Sequence, residues 1–586
     1  MKMKNSIRFA IVLVLFGVHP ALAGNWPGWR GPEGTGVTTE KGLPVSWSTN
    51  ENVRWRVELP GPGNASPIVW GTRVFLNQAA EQRRTVMCLD RATGKLLWQS
   101  GVTYTEREPT QENNPYCAGT PATDGKQVFV SFGSAGIFAY DFEGKEAWHR
   151  DLGKLNHMFG NAISPVLYGD LCIVNFGPDA KARVIALKKE TGETVWEADP
   201  PKPDDSERLQ GPGGRGFGPG TFMAPQMMLQ ADKNSDEKVS SEEFSALADL
   251  WFDKLDSEKT GKLTKDQVIE RLTEVMPPPP GFAGNAGPQG GTKGPNPGGS
   301  GPGRFMGPTL FSAFDADENG VATREEVKQT FAKWFAAWDQ DKSGALDERQ
   351  LREGLNSVFP RPGNRGPGGN GGPGGGDPSG SWSTPLLIKV DGHDELVVNF
   401  PNRLVGYDPK TGKQLWLSKG LSGVIYTTPL WGEGTLVAVS SGMGSGSAIA
   451  IKPGGTGDIT ESQRVWRLDR VKNEIGSGVI RGKHLFTISA DGIAECMDLG
   501  TGNKLWEERL QGPGSRNSSW SSMLLADDRI YVPNQEGDVF VLRAGPKFEV
   551  LATNSVREPT NASLAASADD LFMRTDKSLF CFASKK

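Results

Sequence analysis

Cysteine and histidine are scarce in this chain: five of each among 586 residues. The five Cys are an odd number and no two are adjacent, so they make a poor disulfide framework for an exported protein. After residue 23 four His remain (His149, His157, His393 and His484), and none stands in a metal or catalytic motif. Cys-x-x-Cys-His, His-Glu-x-x-His, Gly-x-Ser-x-Gly and the P-loop are all missing. Excess positive charge is missing too. Lys and Arg total 64 against 69 Asp and Glu, which argues against a nucleic-acid binder. Beyond the N-terminus no apolar run approaches the ~18 residues of a spanning helix, so no transmembrane segment is expected in the mature chain.

The N-terminus reads as a secretory signal over 1–23. Lys2, Lys4 and Arg8 precede an apolar run from Phe9 to Val18, and Ala21-Leu22-Ala23 prepares cleavage before Gly24. No Cys follows the run, so no lipid anchor is expected. The expected location is periplasmic or extracellular.

What is abundant is Gly (76), Trp (17) and a repeated pattern. Met87-Cys88-Leu89-Asp90, Thr93-Gly94-Lys95 and Trp98 return as Ala139-Tyr140-Asp141, Gly144-Lys145, Trp148. They return again as Ala186-Leu187, Thr191-Gly192-Glu193, Trp196 and as Gly406-Tyr407-Asp408, Thr411-Gly412-Lys413, Trp416. Weaker copies end at Trp466 and Trp506. Each copy predicts a strand, a turn whose Gly takes positive φ, and a second strand closed by Trp. Clusters such as Ser66-Pro67, Ser164-Pro165, Thr384-Pro385 and Thr428-Pro429 precede further short strands, giving eight starts. Trp55, Trp98, Trp148 and Trp196 are 43, 50 and 48 residues apart, the spacing of a four-stranded propeller blade. An orphan closing strand at Asn52–Trp55 and an orphan hairpin at Leu579–Phe582 are expected to share the eighth blade. The position two before each Asp holds Cys88, Ala139, Ala186, Gly406, Ala450, Cys496, Val541 and Cys581. All are small, which predicts a crowded site near the ring axis where Cys acts as a small hydrophobe rather than a redox group. Cys117 and Cys172 receive no role.

Between Trp196 and Trp416 the pattern is interrupted. Gly/Pro-rich stretches at 201–222, 277–308 and 360–381 read as linkers. They flank two islands, 223–276 and 309–359, with propeller sequence at 24–200 and 382–586. Phe244, Leu247, Trp251, Phe252 and Leu255 share one helical face, as do Val327, Phe331, Trp334, Phe335 and Trp338. Ahead of the first face lie Asp232, Asn234, Asp236, Lys238, Ser240 and Glu243. Ahead of the second lie Asp315, Asp317, Asn319, Val321, Thr323 and Glu326. Oxygen side chains at positions 1, 3, 5 and 9, a backbone carbonyl at 7 and Glu at 12 suit a cation that wants six to eight oxygens. Each helix runs into another such loop: Asp256, Glu258, Thr260, Lys262, Thr264 and Gln267, then Asp339, Asp341, Ser343, Ala345, Asp347 and Gln350. The loops of each island begin 24 residues apart, which predicts one pair per island. These islands resemble the EF-hand family, and the resemblance implies calcium. Gln267 and Gln350 replace the final Glu and weaken their loops, and Glu237 stands where Gly is usual. The loop beginning at Asp315 has neither fault. The islands carry net charges of −5 and −4, which cations would relieve.

The Leu-Asp…Thr-Gly-Lys…Trp unit resembles the repeat of pyrroloquinoline-quinone (PQQ)-type eight-bladed propellers. That superfamily includes quinoprotein alcohol dehydrogenases and a scaffold lipoprotein of the outer-membrane β-barrel assembly machine. The opening Trp26-Pro27-Gly28-Trp29-Arg30-Gly31-Pro32 is similar to leaders of exported members of unassigned role. The dehydrogenases carry vicinal cysteines beside the quinone and this chain has none, so PQQ is not expected. The expected fold is an all-β eight-bladed propeller with an inserted α-helical EF-hand region. The expected function is an exported calcium-binding scaffold presenting a propeller face to a protein or glycan partner. A quinoprotein-like oxidoreductase and an outer-membrane assembly scaffold are the alternatives; no residue set names a catalytic site.

Overall fold

Hairpins, closed by Trp in seven of the eight blades, assemble into eight sheets with four antiparallel strands each, two of them extended by a short parallel fifth strand, which together form an eight-bladed β-propeller. The computed structural model describes residues 24–157, 159–178, 181–201, 219–234, 236, 238–276, 302–358, 380–442, 446–514 and 517–584. Residues 1–23, where a signal is expected, most of the three expected linkers, and Glu237 lie outside the described residues. Two compact units result: Met1–Asp204 with Gly376–Lys586, and Asp205–Gly375.

Blades 1 to 7 occupy 68–103, 122–150, 166–198, 386–419, 430–471, 479–509 and 524–555. Blade 8 joins both ends of the ring: Val53–Glu58 pairs antiparallel with Ser578–Ala583, which continues into Asp570–Arg574 and Ala565–Ser567. The closing strand of every blade carries one extra residue just before the Trp position (Leu97, Ala147 and Val195 are three of them), a bulge that re-aims the strand. The Trp indole then reaches the following blade. Trp55, Trp98, Trp148, Trp196, Trp466 and Trp506 donate from Nε1 to the carbonyls of Arg91, Phe142, Lys189, Pro409, Leu499 and Gly545 at 2.7–3.1 Å. The turns before the Trp strands need Gly because the neighbouring Trp lies on them: a Cβ on Gly144 (φ +85°) would stand 2.6 Å from the Trp98 ring. Trp416 departs from the rule. Its Nε1 donates to Glu395 Oε2 within its own blade (2.8 Å), and the strand Gly457–Asp458 pairs alongside it.

The row of small residues has a different cause from the expected crowding at the axis. Cys88, Ala139, Ala186, Gly406, Ala450, Cys496 and Cys581 stand directly opposite Trp98, Trp148, Trp196, Trp416, Trp466, Trp506 and Trp55 on the outermost strand, so the indole sets the size limit. All five Cys are free and buried. Burial pushes the thiols of Cys88, Cys117, Cys172 and Cys496 up to about 12, far from the thiolate form that redox chemistry uses.

Ser and Thr residues at the blade starts form a belt of hydrogen bonds from blade to blade. Backbone N–H groups of Ser66, Thr120, Thr428, Ser477, Ser522 and Ser563 donate to the hydroxyls of Thr120, Ser164, Ser477, Ser522, Ser563 and Ser66 at 2.8–3.0 Å. Among the described residues the two links that would pass through Thr384 of blade 4 are not made.

The second unit contains helices α1 (Pro219–Ala231), α2 (Ser241–Leu255), α3 (Lys265–Val275), α4 (Pro302–Phe314), α5 (Arg324–Trp338) and α6 (Glu348–Val358). Both expected helical faces are buried, but in one shared core: Phe244 packs on Phe331 and Trp338, and Trp251 meets Phe331 edge-on. Two expectations change. The loops do not pair within islands: Val239–Ser240 pairs with Ala345–Leu346, and Lys262–Thr264 pairs with Val321–Thr323, so the first loop joins the fourth and the second joins the third. The linker stretches also end early, because 219–222 and 302–308 are helical. Pro is compatible with the first helical position, and Pro219-Gly-x-Phe-Met-x-Pro225 returns as Pro302-Gly-x-Phe-Met-x-Pro308, a duplication masked by Gly/Pro composition.

Candidate metal centre

Every loop sits between two helices, and a residue at its ninth position caps the outgoing one. Ser240, Thr264 and Thr323 each accept from the N–H three residues on, while Glu243, Gln267 and Glu326 reach back to the cap N–H. In each of the last three loops the residue at position 4 and the Gly at position 6 take positive φ: Lys259 and Gly261, Glu318 and Gly320, Lys342 and Gly344. This turn aims successive N–H groups at the first Asp.

The loops differ in what their ligand-type oxygens already hold. In the first, Asp232 and Asn234 both accept from the Asp236 N–H (3.3 and 3.1 Å), and Asp236 accepts from the Lys238 N–H at 3.0 Å. Both oxygens of Glu243 are engaged: Oε2 by the Ser240 N–H and hydroxyl, Oε1 by the Lys233 N–H at 3.0 Å. The Ser240 and Lys233 N–H groups hold this carboxyl below its usual range. In the second loop Asp256 accepts from Thr260 and Gly261, and the Thr260 hydroxyl donates to the Lys262 carbonyl at 2.9 Å. Burial raises the Asp256 pKa, yet those N–H bonds outweigh it and the net shift is downward. The Gln267 carbonyl oxygen is taken by Thr264, and Glu258 is exposed. In the fourth loop Asp339 accepts from Ser343 and Gly344, and the Ser343 hydroxyl donates to the Ala345 carbonyl. Gln350 Oε1 accepts from the Asp347 N–H, and Gln350 Nε2 donates across the loop to Asp341 Oδ1 at 3.3 Å. The amide therefore occupies the place of the missing carboxylate oxygen.

The third loop is the one left open. Asp315 accepts from the Asn319 and Gly320 N–H groups at 3.0 Å, Asn319 Nδ2 donates to Asp317 Oδ2 at 2.7 Å, and Asn319 Oδ1 accepts from the Val321 N–H. Glu326 Oε2 accepts from the Thr323 N–H and hydroxyl, whereas Glu326 Oε1 is buried with no hydrogen-bond partner. One carboxylate oxygen each from Asp315, Asp317 and Glu326 lie within 4.8 Å of one another, and no other such group occurs among the described residues. A dense set of anionic oxygens with one bare buried atom is what a hard divalent cation satisfies. His157 packs edge-on against Trp382 (4.7 Å), and its Nδ1 accepts from the Phe159 N–H.

A family model described as outer membrane protein assembly factor BamB matches residues 32–100, 53–215 and 377–584, more than half of the chain. The chain belongs to this family. The BamB match falls on the propeller and leaves 216–376 uncovered. Among solved structures, BamB from Moraxella catarrhalis aligns at 11% identity and a TM-score of 0.44, over 91% of this chain and 99% of that one. A europium-containing methanol dehydrogenase aligns at 10% and 0.42, over 96% and 98%. A quinohemoprotein alcohol dehydrogenase from Comamonas testosteroni aligns at 13% and 0.35, over 96% and 81%. No curated protein matches. Among the described residues no helix is long and apolar enough to cross a membrane.

Proposed function

We propose that this protein is an exported scaffold of the BamB family whose helical insert is an EF-hand-type calcium module. The propeller presents a rigid face to a protein partner, as the family's description as an assembly factor suggests. The observation that carries the calcium reading is the bare buried Glu326 Oε1 beside Asp315 and Asp317. Asp315, Asp317, Asn319, the Val321 carbonyl, Thr323 and Glu326 would hold the ion. In the other three loops no glutamate oxygen is left bare in this way, so the reading assigns one cation per chain. Extracellular modules of this kind work at about 10⁻⁴–10⁻³ M, compatible with a site outside the cytoplasm.

Calorimetric titration of the full chain with CaCl2 tests this. The expected result is one site, lost in Glu326→Gln, with a second site gained in Gln350→Glu. Absence of calcium-dependent heat at millimolar concentration overturns the reading. Co-purification with β-barrel assembly components tests the scaffold role, and dye-linked oxidation of alcohols by PQQ-reconstituted protein would replace it with the oxidoreductase alternative.

A further inference from the structure

Residues 24–38 touch six of the eight blades in turn. The Gly24 carbonyl accepts from the Ser567 hydroxyl of blade 8. Trp26 exchanges two backbone hydrogen bonds with Val69 of blade 1 (2.8 and 2.9 Å), and the Thr123 N–H of blade 2 donates to the Pro27 carbonyl at 2.8 Å. Trp29 Nε1 donates to the Thr428 hydroxyl of blade 5 at 3.0 Å. Arg30 donates to the carbonyls of Ser477 and Gly478 in blade 6 and, within the segment, of Thr35. The Leu525 N–H of blade 7 donates to the Gly36 carbonyl, and Val37–Thr38 pairs in parallel with Leu525–Ala526. Blades 1 and 5 stand opposite each other in an eight-bladed ring, as do blades 2 and 6, so the segment crosses the axis.

Its crossing point coincides with the interruption of the hydroxyl belt. Six of the eight belt hydroxyls accept an N–H from the preceding blade; among the described residues those of Thr384 and Thr428 do not, and at Thr428 the donor would be Thr384. The Trp29 indole N–H takes the position instead. Beside it Arg30 is 3% exposed, and its hydrogen bonds among the described residues go to carbonyls alone. Burial lowers its pKa to about 9. Burying a cation on neutral acceptors is costly, and such an arrangement persists only where the surroundings fix it.

We propose that residues 24–38 form an axial strap that replaces the missing belt link at blades 4 and 5 and ties opposite sides of the propeller together. The strap explains why Trp29 and Arg30 are adjacent: one satisfies the belt hydroxyl of blade 5, the other the buried carbonyls of Ser477 and Gly478 ahead of blade 6. It holds independently of any calcium chemistry.

A double-mutant cycle in the full chain tests it. Trp29→Phe and Thr428→Val should each lower Tm by about 1–3 °C, and the double variant should lose no more than the larger single loss. Additive losses overturn the proposal. Hydrogen exchange followed by mass spectrometry gives a local readout. In Trp29→Phe and in Arg30→Met, peptides spanning 424–430 and 475–482 should exchange about tenfold faster, while peptides from 128–141 in blade 2 stay unchanged. Uniform acceleration in all blades, or none at 424–430 and 475–482, overturns it. Trp29→Phe keeps an apolar ring, so the readout survives if Arg30→Met does not fold.

Discussion

Two glutamates, Glu326 and Glu474, each keep one carboxylate oxygen buried and without a partner, and their surroundings give them opposite meanings. Glu326 faces two aspartates on an open loop. Glu474 is 4% exposed in the propeller, where burial first and the nearby Glu495 second raise its pKa well above normal. The sign of the consequence follows. The folded state keeps this proton at pH values where the unfolded chain has released it. The contribution to stability is therefore complete below about 4.5 and is lost as pH rises toward the folded-state pKa. Glu474→Gln, neutral at every pH, should raise Tm at pH 8 and leave it nearly unchanged at pH 4. An equal shift at both pH values in a thermal melt would contradict that assignment. At this scale the oxygen-rich turns between helices were legible, because alternating oxygens in a tight turn are a local code. What sequence could not disclose is that Gln350 turns its amide onto Asp341, or that Glu243 is fastened to the Lys233 N–H, since both depend on side-chain rotamers.

At the scale of the hairpin, the Gly turn and the Trp are one device split between neighbouring blades. Gly144 and Gly169 separate its two ingredients. Both have positive φ, but a Cβ on Gly169 meets nothing within 4 Å, whereas one on Gly144 strikes the Trp98 ring. Gly169→Ala should cost about 1 kcal/mol for the backbone alone. Gly144→Ala should cost about 2–4 kcal/mol, because overpacking adds to it. Chemical denaturation of the two variants measures the difference, and equal losses would remove Trp98 from the account. The repeat was readable because strand, turn and Trp lie within one hairpin. The reason for the small residue was not, since it requires the register that sets Cys88 against Trp98 across two strands. Helices α1 and α4 were hidden for a related reason: Pro and Gly dominate their first turns, and composition there outweighs periodicity.

For the whole molecule, ring closure was foreseen from complementary ends, and the location of the insert from the interrupted spacing. The pairing of the first loop with the fourth and the second with the third was not, because nearness in sequence favours partners within an island, while a single aromatic core built from both islands decides otherwise. That core and the separate blade cores predict two transitions in scanning calorimetry of the full chain. Calcium at about 1 mM, the upper end of the range in which extracellular modules work, should raise the transition belonging to 205–375 and leave the other in place. A calcium-induced shift of both together would mean that the units unfold as one.

Closure of the ring has a consequence for manufacture. Arg56 and Ser578 are hydrogen-bonded although 522 positions apart, so the strand Val53–Glu58 has no backbone partner until nearly all of the polypeptide has been made. At usual elongation rates that wait is on the order of half a minute or more. A stop codon a few residues upstream of Ser578 would strand two sticky β-edges at once, one at each end of the polypeptide. Such a product should be cleared or aggregate rather than persist as a seven-bladed remnant.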